Sequence, residues 1–259
     1  MIKKKRILSY LMILTGSVLI LAGGCNEDEG AGEVQDLTIS SPGDTTGIEG
    51  VAKEGTIGKV TDIEGNTYKT IVIGTQTWMA ENLRTTKLND GSPLPEVTDG
   101  TQWVRLTAPA YCWYGNNESE NKKTHGALYN WYAVDSGKLA PAGWHVPTRE
   151  EWTMLINYLG GEQKAGGRLK EAGLSHWNSP NAGATNASGF TALASGGRYC
   201  FCSGSHGLKD KGYWWTATAS DNQDFAFYHY LDKETGSIDN KTDILNYKVF
   251  GFSVRCVKD

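Results

Sequence analysis

The two segments of this chain that read as helices lie together in its middle, with strand-like segments on either side. Gly58-Lys59-Val60-Thr61-Asp62 and Thr67-Tyr68-Lys69-Thr70-Ile71-Val72-Ile73 flank the turn Glu64-Gly65-Asn66. β-Branched residues around a Gly-Asn turn predict a hairpin. A second turn, Gly74-Thr75-Gln76, leads into Thr77-Trp78-Met79-Ala80, and the polar stretch from Leu88 to Gly100 reads as loop. The first helix is expected within 125–133, where Leu128, Trp131 and Tyr132 fall at i, i+3 and i+4. The second is better marked. Thr148 and Glu151 fit a capping box, Trp152, Leu155, Ile156 and Leu159 line one face, and Gly160-Gly161 stops it. One further helical turn is expected within 164–171. After an Asn-, Ser- and Gly-rich loop come Phe190-Thr191-Ala192-Leu193 and segments at 212–217, 224–231 and 251–257, the last three read as an antiparallel set. Strands, then helices, then strands give an α+β class. Nine Trp, 12 Tyr and 32 Gly predict many turns around an aromatic interior. The absence of a fixed-period repeat excludes solenoids and propellers.

The N-terminal region has a different character. Met1-Ile2-Lys3-Lys4-Lys5-Arg6 precedes an apolar run from Ile7 to Ala22, which is short for a membrane span and has the layout of a secretory signal. Leu21-Ala22-Gly23-Gly24-Cys25 resembles a lipobox, which implies lipidation of Cys25 and a membrane partner reached through acyl chains. Ala22 departs from the leucine usual at that position. Asn26-Glu27-Asp28-Glu29 resembles the acidic tract that directs Bacteroidetes lipoproteins to the outer surface, so the expected location is the outer membrane, at the cell surface. Between Cys25 and Gly50 there are seven acids and no base, the composition of a flexible spacer. The expected organisation is therefore a signal over 1–24, a lipidated cysteine and linker over 25–57, and one domain over 58–259. From Val51 onward, 21 basic residues face 22 acidic ones, which gives no nucleic-acid surface.

Five stretches carry a family resemblance. They are Thr77-Trp78-Met79-Ala80-Glu81-Asn82-Leu83, Tyr111-Cys112-Trp113-Tyr114, Gly126-Ala127-Leu128-Tyr129-Asn130-Trp131-Tyr132-Ala133, residues 139–148 around Gly143-Trp144-His145-Val146-Pro147-Thr148, and Gly251-Phe252-Ser253-Val254-Arg255-Cys256-Val257. In this order they resemble the Fibrobacter succinogenes major paralogous domain, which implies a secreted lipoprotein and no particular reaction. Residues 130–132, 143–152 and 255–257 also resemble landmarks of formylglycine-generating enzymes. That implies a C-type-lectin-like core with an N-terminal hairpin, two main helices, a long irregular loop and C-terminal antiparallel strands.

Among the four cysteines after Cys25, three pairings are open. Cys112 and Cys256 lie in matching motifs, so the resemblance implies a Cys112–Cys256 disulfide. Cys200 and Cys202, with His206, offer a metal or redox alternative but no fourth ligand within that cluster. A default structural role is assigned to His145. Gly-x-Ser-x-Gly, His-Glu-x-x-His and P-loop patterns are absent, and no catalytic residue, metal or cofactor is assigned. What remains is aromatic recognition. The rings of Trp214-Trp215 face opposite sides of a strand, Tyr228 and Tyr230 share one face, and Phe225, Phe227 and His229 share the other. Trp214, Trp215, Tyr228 and Tyr230, with the loop 176–224, are the ligand-binding candidates. The leading expectation is a non-catalytic binding or adhesion module for glycans or a protein partner. The alternatives are a formylglycine-generating-type oxidase or other metal/thiol enzyme, and a structural envelope component.

Overall fold

The computed structural model describes residues 55–199, 204–239 and 245–259. The expected signal segment, Cys25 and most of the expected linker, together with Cys200 and Cys202, lie outside the described residues. β1 (Ile57–Thr61), β2 (Thr67–Ile73) and β3 (Gln76–Met79) form an antiparallel meander, as the turns predict. Asp62 closes the first turn. Its carboxylate accepts from the backbone N–H of Glu64 and Asn66, each at 2.9 Å, and from the Tyr68 hydroxyl at 2.6 Å. Gly65 has a φ of 85°, a conformation glycine adopts without steric cost.

Next come α1 (Gly100–Trp103), β4 (Tyr111–Cys112), α2 (Glu118–Asn121), β5 (Leu128–Tyr129) and α3 (Trp131–Asp135). The helix expected within 125–133 begins only at Trp131. Leu128 and Tyr129 are extended because they pair with Cys112 and Tyr111 of β4. Asn130 then caps α3, its Oδ1 accepting from Ala133 N at 3.2 Å and from Ala110 N at 3.0 Å. Tertiary pairing has overridden a local helical spacing.

β6 (Trp144–His145) precedes α4 (Arg149–Tyr158), which starts at the expected capping box: Thr148 Oγ1 accepts from Glu151 N, and Glu151 accepts from Thr148 N at 2.8 Å. Gly160 and Gly161, with φ of 89° and 81°, end it. α5 (Glu162–Leu169) is longer than the single turn expected. It presses so closely on neighbouring backbone that a Cβ at Gly167 would collide with the Gly183 carbonyl oxygen.

β7 (Ser195–Arg198), β8 (Ser205–Leu208), β9 (Lys211–Ala219), β10 (Phe225–Asp232), β11 (Ile238–Asp239) and β12 (Leu245–Tyr247) form the second sheet. Its order is β11-β10-β9-β7-β8, with β12 also on β10. β9 and β10 are antiparallel, Trp215 opposite Tyr228 and Tyr213 opposite Tyr230. The last expected strand does not join them. Residues 251–256 cross the core through single bridges, Phe252 to Tyr129 and Ser253 to Trp214 among them. Only β13 (Val257–Lys258) pairs as a strand, and it enters the first sheet between β3 and β6. The reason lies in burial: every residue from 251 to 257 is enclosed, so this segment has no solvent face and serves both sheets. The class is α+β.

Eight of the nine tryptophans are fully buried, which accounts for the aromatic-rich composition. Trp78, Trp152, Phe190 and Trp214 pack between the sheets and α4, with ring centroids 5.0–6.5 Å apart. Such pairs contribute about 0.5–1.5 kcal/mol each beyond their area.

His145 ties β6 to the C-terminal residue. Its Nδ1 lies 2.6 Å from Asp259 Oδ1 and its Nε2 2.7 Å from Glu151 Oε1. Burial pulls its pKa down, but the hydrogen bonds to the two carboxylates outweigh burial and hold it above its usual value. A raised histidine pKa stabilises the fold fully below about pH 6.5, and that stabilisation is lost as pH rises through the folded-state value. The difference in urea midpoint between the wild type and His145→Gln is therefore expected to shrink from about pH 5.5 to 8. A difference independent of pH would exclude the imidazolium bridge.

Candidate functional site

A cleft of about 410 Å³ opens where β2 and the turn after β3 meet the loop that follows α5. Lys69 lies at its exposed rim, and Asn82 and Arg255 are the buried residues at its base. The opposite wall is built from Glu171, His176, Asn186 and Thr191.

The backbone explains why the base forms. Met79 N donates to Cys256 O at 2.9 Å and Leu83 N to Val254 O at 2.8 Å, which zips residues 79–83 against 254–256. Asn82 and Arg255, 173 positions apart in sequence, are thereby brought side by side. Asn82 Oδ1 accepts from Arg255 Nε at 2.9 Å and from Trp214 Nε1 at 3.0 Å. Its Nδ2 donates to His125 O, Ser195 Oγ and Ser253 Oγ at 2.9, 3.0 and 3.2 Å. The Arg255 guanidinium also donates to the carbonyls of Phe190 and Thr191 and lies 4.2 Å over the Phe190 ring. Burial pulls its pKa down to about 9, so it remains charged at neutral pH. Thr191, with a φ of 55°, is clamped by Asn186, whose Oδ1 accepts from Thr191 N at 2.8 Å.

On the far wall, His176 Nδ1 lies 2.9 and 3.0 Å from the two Glu171 carboxylate oxygens. The His125 ring meets His176 edge-on at 5.8 Å, and His125 Nδ1 lies 3.3 Å from Ser195 Oγ. Desolvation first, and the neighbouring His176 second, push the His125 pKa down to about 4, leaving it neutral. Ser195 is fully enclosed, so this serine–histidine contact sits behind the cleft and is a packing link rather than an exposed nucleophile.

The residues singled out from sequence fall elsewhere. Trp214 and Trp215 both have 0 % exposure and are not free to meet a ligand. Both faces of β9 are covered: Trp214 packs against Trp152 and Phe190, and Trp215 against Phe252. Their indole N–H groups donate to Asn82 Oδ1 and Tyr129 O, so both are core anchors. Tyr228 and Tyr230 are half-buried, with Tyr228 5.1 Å from Phe252, and they lie outside the cleft lining. Among the described residues of the loop 176–224, those that line the cleft lie between His176 and Leu193.

The Cys112–Cys256 bridge is also corrected. Both thiols are free and buried. Cys112 packs in a small cluster with Trp103, Ala110 and Leu128, whereas Cys256 belongs to the main core. Burial raises the Cys112 pKa to about 11 and that of Cys256 further, which keeps both as unreactive thiols.

No curated protein and no solved structure matches the chain. The sequence model of the Fibrobacter succinogenes major domain matches residues 71–258, a span that includes both Asn82 and Arg255 and the whole loop wall between them. The chain belongs to the Fibrobacter succinogenes major domain family.

Proposed function

We propose that this protein is a lipoprotein held in the outer membrane by lipid on Cys25, displaying a non-catalytic binding module for a glycan or a protein partner at the cell surface. The observation that carries the binding role is the cleft itself. Asn82 and Arg255, hydrogen-bonded to each other and through Asn82 to Trp214 of β9, form a base that supports a wall of loop residues, the arrangement in which a scaffold commonly presents binding side chains. The acidic stretch between Cys25 and Gly50 would act as the spacer. The helix pair followed by a long loop and then strands supports the C-type-lectin-like reading of the core. The alternative of a metal or thiol enzyme rests on Cys200 and Cys202, which lie outside the described residues, and Cys112 and Cys256 lend it nothing because both are desolvated.

Two measurements test this. Cys25→Ser is expected to move the folded protein from the membrane to the soluble fraction, since a lipid chain contributes about 0.8 kcal/mol per buried methylene. Unchanged membrane partitioning would end the lipoprotein reading. On a glycan array and in pull-downs, His176→Trp, which fills the cleft, is expected to abolish capture with little change in Tm. Capture that survives this substitution would place binding elsewhere.

A further inference from the structure

The fixed charges in the cleft lining balance, Lys69 and Arg255 against Glu81 and Glu171. Most of its polar side chains are also engaged within the fold. Asn82 and Arg255 hold each other, Asn186 holds Thr191 through both its amide atoms, and Glu81 accepts from Arg84 and from Lys69 N. His176 is different. Its Nδ1 lies 2.9 and 3.0 Å from the two Glu171 oxygens, and a carboxylate only accepts, so Nδ1 carries the hydrogen and donates it. In the neutral ring Nε2 is then left with a lone pair. That atom has no hydrogen-bond partner among the described residues, and it is not sealed in, since the side chain is 33 % exposed on the cleft wall. The hydroxyls of Thr70 and Thr124 line the same cleft and also lack a partner among the described residues. Beside them stands Ile57, at 73 % exposure the most open large apolar side chain among the described residues.

We propose that Glu171 fixes the tautomer of His176 so that its Nε2 accepts a hydroxyl hydrogen from a neutral sugar, a hexose unit of a glycan. This rests on the reading of the cleft as the ligand site. The ligand is neutral because the balanced lining offers no counter-charge to a net ion. A sugar fits better than a peptide because its hydroxyls both donate and accept. One ligand can therefore meet the histidine acceptor and the two threonine hydroxyls while its C–H face rests on Ile57. The aliphatic side chain of a peptide would suit Ile57 but would bring no donor to His176.

The test uses the full-length chain labelled with ¹⁵N. Long-range ¹H–¹⁵N spectra at mildly alkaline pH are expected to show His176 as the Nδ1–H tautomer in the wild type. In Glu171→Gln, whose amide can donate as well as accept, the tautomers are expected to mix. An Nε2–H tautomer in the wild type would overturn the proposal and leave the cleft as a ligand site. The methyl glycosides of glucose, galactose, mannose and N-acetylglucosamine are then titrated singly. At least one is expected to shift the His176 ring signals and the backbone signals of Thr70, Thr124 and Thr191. For that sugar, His176→Phe is expected to weaken binding roughly tenfold at unchanged Tm, and added salt to change the affinity little. A sugar bound equally well by His176→Phe would lie elsewhere, which overturns the cleft reading and this proposal together. Tighter binding of N-acetyl-leucine methylamide at the same signals would overturn the sugar assignment in favour of a peptide. If none of the four sugars moves these signals the proposal is overturned, and the cleft reading then rests on the His176→Trp capture test alone.

Discussion

Asn82→Leu is expected to destabilise the domain by about 3–5 kcal/mol, a large share of the roughly 5–15 kcal/mol that holds an ordinary domain together. Leucine is no smaller than asparagine, so the loss is not a cavity effect. It comes from the five polar groups that Asn82 serves. His125 O, Ser195 Oγ and Ser253 Oγ lose the amide whose two N–H donors they share, and Trp214 Nε1 and Arg255 Nε lose their acceptor, all on buried residues. Arg255 dominates, because a buried charge stripped of a partner costs more than a neutral group. Urea unfolding with Trp214→Phe in both backgrounds apportions the effect. In the wild type the indole N–H is a hydrogen bond lost, about 1–2 kcal/mol. In the Asn82→Leu background that bond is already gone, so the second substitution is expected to cost less by that amount, the packing loss being common to both backgrounds. A midpoint for Asn82→Leu corresponding to less than about 1 kcal/mol would show that the network is not what joins the two sheets.

That network also marks how far the sequence could be read. The hairpin, the capping box of α4 and its Gly-Gly stop are local devices, each written within a few residues, and all are present in the fold. The family motifs were legible as motifs, but their purpose was not. Asn82 and Arg255 matter because backbone bonds between residues 79–83 and 254–256 bring them together, and no spacing in the chain encodes that. One signal was available: an arginine inside the apolar run Phe252 to Val257 is a charge destined for burial, and a buried charge calls for acceptors. The aromatic assignment failed for a related reason. Alternation along β9 places Trp214 and Trp215 on opposite faces, but only the tertiary fold covers both faces. The pairing of Cys112 with Cys256 rested on motif membership, which carries no information about proximity, and the two thiols lie in separate clusters.

Lys170→Met is expected to cost about 3–5 kcal/mol and to loosen the cleft wall before the rest of the domain. Lys170 follows α5 and is completely enclosed. Its ammonium donates to the carbonyls of Ala182, Asp232 and Thr235 at 2.9, 3.0 and 2.8 Å and lies 5.2 Å from the Trp177 ring. Burial lowers its pKa to about 8, which still leaves it protonated at neutral pH. One side chain therefore pins the loop after α5 to the turn after β10, alongside the backbone bond from Ala182 N to Lys233 O at 2.8 Å. Methionine reproduces the length and the apolar stem but offers no donor, so three carbonyls lose the donor they share. His176, Asn186 and Thr191 all sit on the loop so released. Hydrogen exchange should therefore quicken across residues 173–193 while β9 and β10 stay protected, the mark of a sub-global opening. Ligand capture by the cleft should fall in step, because the wall must be reordered on binding. Wild-type exchange in that loop, or loss of protection uniform across both sheets, would show that Lys170 does not hold the wall as a separate unit.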